Sequence, residues 1–406
     1  MADSKPAAYT APALVTSTSD PVRANAKLIS LLALGHFVVD LNQGSLPALL
    51  PFLKAAHQLS YAAVATIVLA ANVASSLVQP VFGYFADQSA RRWMLPMSVL
   101  LTGAGFALMG LAPGYGTLVA LVLLMGFGVA AYHPEGYKTA TSVAGERKAT
   151  ALSWFSLGGN VGVALGPPVI TALVTAAGLA GSLGLLVPTL IVSALLLAVL
   201  PSFAESAAPR AAAAAAARGA NMPGAMALLI LVVTIRSWAT LGFTTFVPFY
   251  YIDVLGADPR LVGPLLFVFL GAGALGTVAA GPLADRWGPR AFTQWALLAA
   301  LPFGALFLVV KGVLAFVVLG IFGALLTSSF TVSVVLGQAY LPRRAGMASG
   351  LIVGFAIGAG GVGVTVLGWI ADRYGLPTAL WITAFTPLAA FVASRFLPAP
   401  RAHDDR

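Results

Sequence analysis

Twelve apolar runs, each about as long as a membrane-spanning helix, follow one another along this chain of 406 residues. A spanning helix needs roughly 20 mainly apolar residues, because the hydrocarbon core of a bilayer is about 30 Å thick. Charged residues make up only 9% of the chain and apolar residues 59%, so it lacks the polar surface of a soluble domain. We therefore predict an all-α membrane protein with twelve transmembrane helices. The predicted spans are Leu28–Phe52, Tyr61–Ala86, Trp93–Leu111, Thr117–Tyr137, Ala149–Ala176, Leu183–Leu200, Ala225–Tyr251, Leu261–Ala284, Ala291–Val310, Val313–Leu336, Ala345–Ile370 and Pro377–Phe396.

Lysine and arginine residues are distributed unevenly between the two sets of predicted loops. With the N-terminus placed inside, about 17 of them fall on the inner side, as the positive-inside rule requires. Only Lys54, Arg260, Lys311 and Arg373 fall outside, and Arg236 falls within a span. We therefore predict a multi-pass protein of the cytoplasmic (inner) membrane with both termini in the cytoplasm. Because topology accounts for the net charge of +9, we expect no nucleic-acid partner.

Three pairs of similar segments indicate an internal duplication. GYFADQSARR is similar to GPLADRWGPR, RKATALSWFSLGGNVG to RRAGMASGLIVGFAIG, and LPFL to VPFY, at offsets of 198, 196 and 197 residues. Near-equal offsets predict two pseudo-symmetric six-helix bundles of parallel topology, at residues 27–200 and 223–397. We interpret residues 1–26 and 398–406 as cytoplasmic tails, the first of them flexible, and the alanine-rich residues 201–222 as a cytoplasmic linker.

Two spans carry ionisable residues near the predicted middle of the membrane. Asp40 lies about 18 Å into the first span at 1.5 Å per residue, and His36 lies on the same helix face. Arg236 has a similar depth in the seventh span and corresponds to Val39 by the offset of 197. Ionisable side chains within a membrane span usually have a function. We therefore predict that Asp40 and His36 bind and release the coupled proton, and that Arg236 binds an anionic substrate group. The alternatives are permanent structural pairs of His36 with Asp40, or of Arg236 with Asp40.

His133 and Glu135 flank Pro134 near the inner end of the fourth span. At i and i+2 they point about 200° apart on a regular helix, so both face one cavity only if Pro134 distorts it. We include both as candidates for proton coupling, while an interfacial pair with Lys138 is the alternative for Glu135. His36 and His133 lack a plausible set of further metal ligands, so the sequence predicts no metal and no cofactor. It also lacks a Walker loop and a nucleophile–base–acid set, so we predict that the protein is not an enzyme.

Several other residues within the spans are candidates for substrate contact. Asn72 and Gln79 share one stripe of the second span, where they either line a pathway or bridge helices, and Asn160 in the fifth span has the same two alternatives. In the seventh span Trp238 and Phe246 supply aromatic surface for an amphiphilic ligand, although most such residues face lipid or core.

A stripe of small residues marks the fifth span. Gly158, Gly162 and Gly166, followed by Pro167, have four-residue spacing, which lets another helix backbone approach closely in lipid. We predict that the helices pivot at this stripe.

The loops after the second and eighth spans carry a shared signature, Gly83-x-x-x-Asp87 and Gly281-x-x-x-Asp285-Arg286. These motifs resemble the loop signature of major facilitator transporters, although the first copy has Gln88 where the family has a base. ASSLVQPVFGYFADQ, YHPEG and LSWFSLGGNVGVALGP are similar, more narrowly, to fosmidomycin-resistance efflux proteins.

The resemblance implies proton-driven export of small, often anionic or amphiphilic compounds. It also implies a cytoplasmic latch, formed by Asp87 with Arg91 and Arg92 and repeated by Asp285 with Arg286. The alternative for these charges is a plain loop salt bridge, worth under about 1 kcal/mol.

We predict a monomer that exchanges protons for a small drug-like or anionic compound by alternating access in the bilayer. One rival is proton-coupled uptake of a nutrient such as an organic anion or a sugar, and another is a receptor or scaffold that does not transport. Asp372 repeats the loop pattern at an outer helix end, and the sequence gives it no function.

Overall fold

Twelve long helices account for most of the chain, and they correspond in order to the twelve predicted spans. The computed structural model describes residues 25–79, 81–82, 91–144, 148–205 and 221–400. The described residues are predominantly helical and contain no β-strand. Asp87 and most of the alanine-rich linker lie outside the described residues.

The N-terminal half contains helices α1 to α6. A π-helical turn, Val73–Leu77, extends α2, and a 3₁₀ segment, Leu179–Leu185, precedes α6. A short helix, Leu200–Glu205, follows α6. The six helices are α1 (Ala26–His57), α2 (Tyr61–Asn72), α3 (Met94–Ala107), α4 (Tyr115–Ser142), α5 (Lys148–Ala177) and α6 (Leu186–Ala198).

The C-terminal half contains helices α7 to α12. A π-helical turn, Tyr250–Val254, ends α7, and a second one, Leu351–Ala356, precedes α11. The six helices are α7 (Pro223–Phe249), α8 (Val262–Trp287), α9 (Pro289–Phe307), α10 (Val313–Tyr340), α11 (Ile357–Tyr374) and α12 (Leu376–Ser394).

Nine helical segments within the described ranges are long and apolar enough to cross a membrane. The three spans that fall short are α1, α2 and α9. Helix α1 has 32 residues but carries polar side chains such as His36, Asp40 and Asn42 at buried positions, which lower its mean hydropathy. The described part of α2 is short, and the first two turns of α9 carry the polar residues Arg290 and Gln294. All twelve have an apolar, largely buried face, and the all-helical twelve-span fold is confirmed.

The duplication inferred from the sequence is visible in matching hydrogen bonds. The Asn25 backbone N–H donates to the Val143 carbonyl, which joins the start of α1 to the end of α4. The Met222 N–H donates to the Tyr340 carbonyl, joining α7 to α10, and both partners follow the first pair by 197 residues. The two halves therefore share this connection between their first and fourth helices. These bonds also define one surface, here named the terminal face, where α1 and α7 both begin.

The glycine stripe of α5 packs against the backbone of α1. A Cβ added at Gly158, Gly162 or Gly166 would lie between 2.1 and 2.5 Å from backbone oxygens of α1, closer than real Cβ atoms approach. The predicted close approach of two backbones is therefore present, and its partner is a helix of the same half. The stripe builds the N-terminal bundle, and a pivoting role at these glycines remains a prediction.

The two halves contact each other mainly through two pairs of helices, α2 with α11 and α5 with α8. Helix α11 approaches α2 closely because Gly361 and Gly368 face it, and a Cβ at Gly368 would lie 2.7 Å from the Ala65 Cβ. A Cβ at Gly263 of α8 would similarly lie 2.7 Å from the Cα of Pro168 in α5. Further polar contacts between the halves lie at the face opposite the termini, named the opposite face.

Candidate functional site

A cluster of three ionisable side chains lies buried between α1 and α4. The Asp40 carboxylate lies between two imidazole rings, with Oδ2 3.3 Å from His36 Nε2 and Oδ1 3.4 Å from His133 Nε2. The predicted pairing of His36 with Asp40 on one face of α1 is therefore present. His133 comes from α4, so the cluster joins two helices of the N-terminal half.

The second nitrogen of each imidazole ring lies against a backbone carbonyl. His36 Nδ1 is 2.8 Å from the Phe155 oxygen, and His133 Nδ1 is 2.8 Å from the Val129 oxygen. A carbonyl oxygen can only accept a hydrogen bond, so in both rings the Nδ1 atom carries the hydrogen. In a neutral ring of this tautomer, Nε2 presents a lone pair, and both Nε2 atoms point at the Asp40 carboxylate.

The cluster therefore needs at least one proton beyond those on the two Nδ1 atoms. Without one, two nitrogen lone pairs would face an ionised carboxylate at 3.3 and 3.4 Å, and these groups repel each other. A proton on Asp40 or on either Nε2 turns one of these repulsive contacts into a hydrogen bond, and a second proton does the same for the other. The arrangement can thus bind and release protons, and the release of the last one disrupts its geometry.

The same three side chains also correct one conclusion from the sequence, that His36 and His133 lack further metal ligands. The structure brings Asp40 to both, and the three ligand atoms lie within 4.8 Å of one another. Two histidines and a carboxylate are a ligand set that transition metals accept, with each Nδ1 held by a carbonyl as in many metal sites. Within the described residues this is the only cluster of potential metal ligands.

Aromatic rings and a glycine shape the surroundings of the cluster. The His36 ring stacks on Phe155 of α5 with 4.3 Å between centroids, and Tyr132 donates to the Leu32 carbonyl beside it. A Cβ at Gly159 would lie 2.5 Å from His36 Nε2 and 2.6 Å from Asp40 Oδ2. His133 retains 18% of its side-chain exposure, against 5% for His36 and 10% for Asp40, so it is the most exposed member of the cluster.

Glu135 does not belong to this cluster. Helix α4 continues through Pro134 to Ser142, so His133 and Glu135 point in different directions, as the helical geometry predicted. The fully buried Glu135 carboxylate accepts a hydrogen bond from the Arg91 backbone near the start of α3, and Thr139 lies beside it. Its inclusion with Asp40 in one proton-coupling set is therefore not supported by its position.

Arg236 forms the second buried charge, in the C-terminal half. Its Nε and Nη2 atoms both donate to the Leu326 carbonyl of α10, at 2.9 and 2.6 Å, and its guanidinium lies 5.2 Å from the centre of the Phe330 ring. Among the described residues no carboxylate lies within ion-pair distance of Arg236. The alternative in which Arg236 holds Asp40 is thus not observed, because Asp40 is bound by two histidines of its own half.

The two buried charged sites occupy equivalent places in the two halves. Subtracting the offset of 197 residues converts Arg236 to Val39, Leu326 to Val129 and Phe330 to His133. The carbonyl that receives Arg236 is thus the counterpart of the carbonyl that holds the His133 ring. One bundle carries an acid with two histidines where the other carries a guanidinium. The offset applied to His133 could have identified Phe330 from the sequence, whereas the roles of the Phe155, Val129 and Leu326 carbonyls carry no sequence signal.

The polar candidates for substrate contact occupy different surroundings. Asn72 donates to the Val68 carbonyl of its own helix, and its Cβ faces Gly361 of α11, so it lies between the two halves. Asn160 is exposed on α5. Gln79 is half-buried beyond the π-helical turn of α2. Their roles in binding remain predictions.

The two aromatic candidates on α7 differ sharply. Trp238 packs against Gly363 of α11, and its indole N–H is buried without a hydrogen-bond partner in the described part of the chain. This N–H can donate to a ligand only in a conformation that exposes it. Phe246 is fully buried in the main hydrophobic core, so it does not contact substrate in this conformation.

The predicted cytoplasmic latch is visible only in part. Asp87 lies outside the described residues, and Arg91 and Arg92 lie near the start of α3. Asp285 and Arg286 lie at the end of α8, and neither forms an ion pair with a described residue. Pro167 lies within α5 without interrupting it.

Comparisons with known proteins agree with this architecture. The fosmidomycin resistance protein of Escherichia coli strain K12 is 30% identical over 397 residues, covering 96% of this chain and 97% of the relative. The uncharacterised MFS-type transporter YfnC of Bacillus subtilis strain 168 is 32% identical over 374 residues, covering 90% and 91%.

Solved structures share the fold at low sequence identity. A bacterial homologue of the human lysosomal transporter Spinster, in an inward-facing and unoccupied conformation, superposes with a TM-score of 0.78 at 15% identity, covering 95% of this chain and 100% of that one. The nucleoside transporter NupG gives a TM-score of 0.71 at 14% identity, covering 91% and 98%. The profile of the Major Facilitator Superfamily matches residues 32–355, and with twelve helices in two equivalent halves this chain belongs to that superfamily of transporters.

Proposed function

We propose that this transporter exports a small anionic compound from the cytoplasm in exchange for protons, by alternating access. One observation carries the proposal: a proton-binding cluster and a guanidinium without an acidic partner among the described residues occupy equivalent buried positions in the two halves. The positive-inside rule supports placing the terminal face in the cytoplasm. The relative from Escherichia coli, named for fosmidomycin resistance, supports the direction of transport and suggests the first substrate to test.

The proton site in this proposal is the cluster of His36, Asp40 and His133. Its geometry disfavours the fully deprotonated form, since both Nε2 lone pairs would then face the carboxylate. A cluster that loses its last proton relaxes by moving one of its members, and two of them are on α1 and one is on α4. Proton release is thereby linked to the relative position of two helices, which is what a coupled transporter requires.

The anion site in this proposal is Arg236. Burying a charge without a partner is unfavourable by several kcal/mol, so an uncompensated guanidinium in an apolar bundle needs a reason. Guanidinium binds carboxylate and phosphonate groups through two parallel hydrogen bonds, which gives both affinity and orientation. An anion at Arg236 would supply the counter-charge that the described residues do not.

Proton-coupled uptake of an organic anion is a second candidate, and electrostatics favours it. A protonated cluster and Arg236 both attract an anion, so proton and substrate reinforce each other whenever both sites are loaded in one conformation. Export by exchange instead requires that they are loaded in opposite conformations. The effect of pH on substrate affinity therefore separates the two: tighter binding at low pH supports uptake, and weaker binding supports exchange.

Transport into inverted membrane vesicles tests the proposal directly. With an acidic lumen, we expect fosmidomycin or a simple alkyl phosphonate to accumulate inside. Asp40→Asn should abolish this accumulation while exchange of labelled for unlabelled substrate continues without a gradient. The matched control is Asp258→Asn, because Asp258 bonds only within its own half, to the Arg260 N–H at 2.8 Å.

Three outcomes would contradict the proposal. Gradient-driven accumulation that persists in Asp40→Asn would remove the proton role of the cluster. Loss of substrate from preloaded vesicles with an acidic lumen would indicate uptake in the cell instead of export. A purified protein that binds no small anion, with unchanged resistance of an efflux-deficient host after Asp40→Asn and Arg236→Met, would favour the receptor or scaffold.

A further inference from the structure

A polar cluster joins the two halves at the opposite face. Lys54, in the last turn of α1, lies 3.1 Å from Asp253 Oδ2, and the Tyr61 hydroxyl donates to the same oxygen at 2.7 Å. Asp253 belongs to the π-helical turn that ends α7. The Lys54 ammonium also lies 4.5 Å from the centre of the Tyr61 ring, which stands edge-on to Phe249 of α7. One carboxylate of the C-terminal half thus binds two side chains of the N-terminal half.

Asp372 makes a second connection, to the beginning of α2. Its Oδ1 accepts from the Tyr61 backbone N–H at 2.8 Å, and its Oδ2 accepts from the Ala62 N–H at 2.9 Å. The first N–H groups of a helix have no partner within the helix and carry a partial positive charge. The Ser60 hydroxyl of the same half accepts from the Ala63 N–H, so the N–H groups of Tyr61 and Ala62 depend on the carboxylate from α11.

The equivalent position in the C-terminal half lacks this connection. The segment before α8 is capped by Asp258, which accepts from the Arg260 N–H within its own half. By the offset of 197, Asp372 corresponds to Thr175, which carries no charge and bonds to carbonyls of α5. The contacts of Asp253 and Asp372 therefore do not follow from the duplication, and both acids belong to the half that contributes Arg236.

We propose that Asp253 and Asp372 are gating residues that hold the opposite face closed. The group of Lys54, Tyr61, Asp253 and Asp372 is named the cross-half cluster. All four of its polar contacts span the two halves, so the halves cannot separate at this face without breaking them. The cluster therefore sets the balance between the conformation seen here and the one open at the opposite face. This inference requires alternating access, but it does not depend on protons, substrate identity or the direction of transport.

The size of the effect follows from the exposure of these groups. The Lys54 and Asp253 side chains retain 23% and 31% of their exposure, so solvent screens their attraction. An ion pair of this kind changes a two-state equilibrium by up to about fivefold. Asp372 accepts two charge-assisted bonds from a helix end, so we expect its loss to shift the balance by about tenfold.

The distance between two spin labels across the opposite face tests the proposal. The chain contains no cysteine, so cysteines can be placed freely. Ala56, in the last turn of α1, and Lys311, between α9 and α10, are exposed at this face, one in each half. The doubly labelled protein in lipid nanodiscs without substrate is compared with its Asp253→Asn and Asp372→Asn variants by pulsed electron paramagnetic resonance. Asp258→Asn is the matched control, because it removes an acid at the same face without a contact between the halves.

We expect a longer-distance population to grow about fivefold in Asp253→Asn and about tenfold in Asp372→Asn, and to remain unchanged in Asp258→Asn. Reversing the pair, as Lys54→Asp with Asp253→Lys, should restore the part of the short-distance population that depends on the ion pair, because the bond from the Tyr61 hydroxyl is not restored. Unchanged distances in both single variants, or a reversed pair that behaves like Asp253→Asn, would overturn the proposal. Because no substrate or gradient is used, these results are independent of the vesicle experiments on proton coupling.

Discussion

Replacing Arg236 with methionine should separate the contribution of Arg236 to the stability of the protein from its contribution to anion binding. The substitution removes two hydrogen bonds to the Leu326 carbonyl and the contact with the Phe330 ring. It creates no unpaired acceptor, because the Ser329 hydroxyl also donates to the Leu326 carbonyl, at 2.7 Å. It also leaves no acid unpaired, since no described carboxylate binds Arg236. Methionine is flexible and apolar, so it fills the space of the arginine stem.

The expected change in the free energy of unfolding is small because opposing contributions are similar. Two charged hydrogen bonds that share one acceptor, with a cation–π contact, contribute roughly 4–5 kcal/mol. Against this, desolvating an isolated guanidinium costs several kcal/mol, and a buried methionine contributes about 1.5–3 kcal/mol. We therefore expect Arg236→Met to change the stability by less than about 2 kcal/mol. Breaking a true buried ion pair would instead destabilise by about 3–5 kcal/mol.

Thermal unfolding and ligand binding on the same purified protein measure the two effects. We expect a melting temperature within a few degrees of the original, and an affinity for a phosphonate or carboxylate reduced by about tenfold to a hundredfold. Arg236→Lys keeps the charge but loses the two-pronged contact, so it should lose most of the affinity as well. Arg290→Met is a useful control, because Arg290 also donates to a backbone carbonyl, that of Arg395, but in an exposed contact at the start of α9.

Two results would refute this reasoning. A loss of about 3–5 kcal/mol in Arg236→Met would mean that the guanidinium is a structural element with a partner that holds the bundle together. Unchanged anion affinity in Arg236→Met would mean that the buried charge does not attract the substrate, whatever its effect on stability.

Two further substitutions test the surroundings of the buried sites. Gly159→Ala places a Cβ 2.5 Å from His36 Nε2, so we expect gradient-driven transport to fall by about tenfold or more. The control is Gly271→Ala, which should transport normally because a Cβ there has nothing within 4 Å. Equal transport by the two variants would contradict the cluster geometry. Trp238→Phe removes an unpaired indole N–H, so we expect unchanged or slightly higher thermal stability, by up to about 1 kcal/mol, with substrate affinity reduced about threefold to tenfold. Full affinity in Trp238→Phe, measured by calorimetric titration, would show that the indole does not bind the substrate.

Features that depend on one helix, or on the repeat, were predictable from the sequence. The twelve spans follow from runs of apolar residues, since the bilayer fixes the length of each helix. His36 meets Asp40 because residues four apart share one helix face. The close approach at Gly162 and its neighbours follows from a stripe without side chains. The divergence of His133 and Glu135 on α4 follows from the angle between successive residues.

Features that depend on which helices meet were not predictable. His133 joined Asp40 because α4 packs against α1, and no spacing in the sequence contains that information. Phe246 is an aromatic residue of a kind that often contacts ligands, yet it is fully buried in the main hydrophobic core, which includes residues of both halves. A permanent pair of Arg236 with Asp40 was one of the alternatives from the sequence, but each charge is held by groups of its own bundle.

The sequence by itself determined that this chain crosses a membrane many times, that its two halves are copies and that charges lie deep within them. Those conclusions depend on hydrophobic length, on repetition and on helical periodicity, which are properties of neighbouring residues. Only the tertiary structure decided that Asp40 binds two histidines, that Arg236 has no acidic partner among the described residues and that Asp372 caps a helix of the other half. A charge deep in a bundle binds whatever polar group the packing brings within about 3 Å, and packing is settled by all twelve helices together.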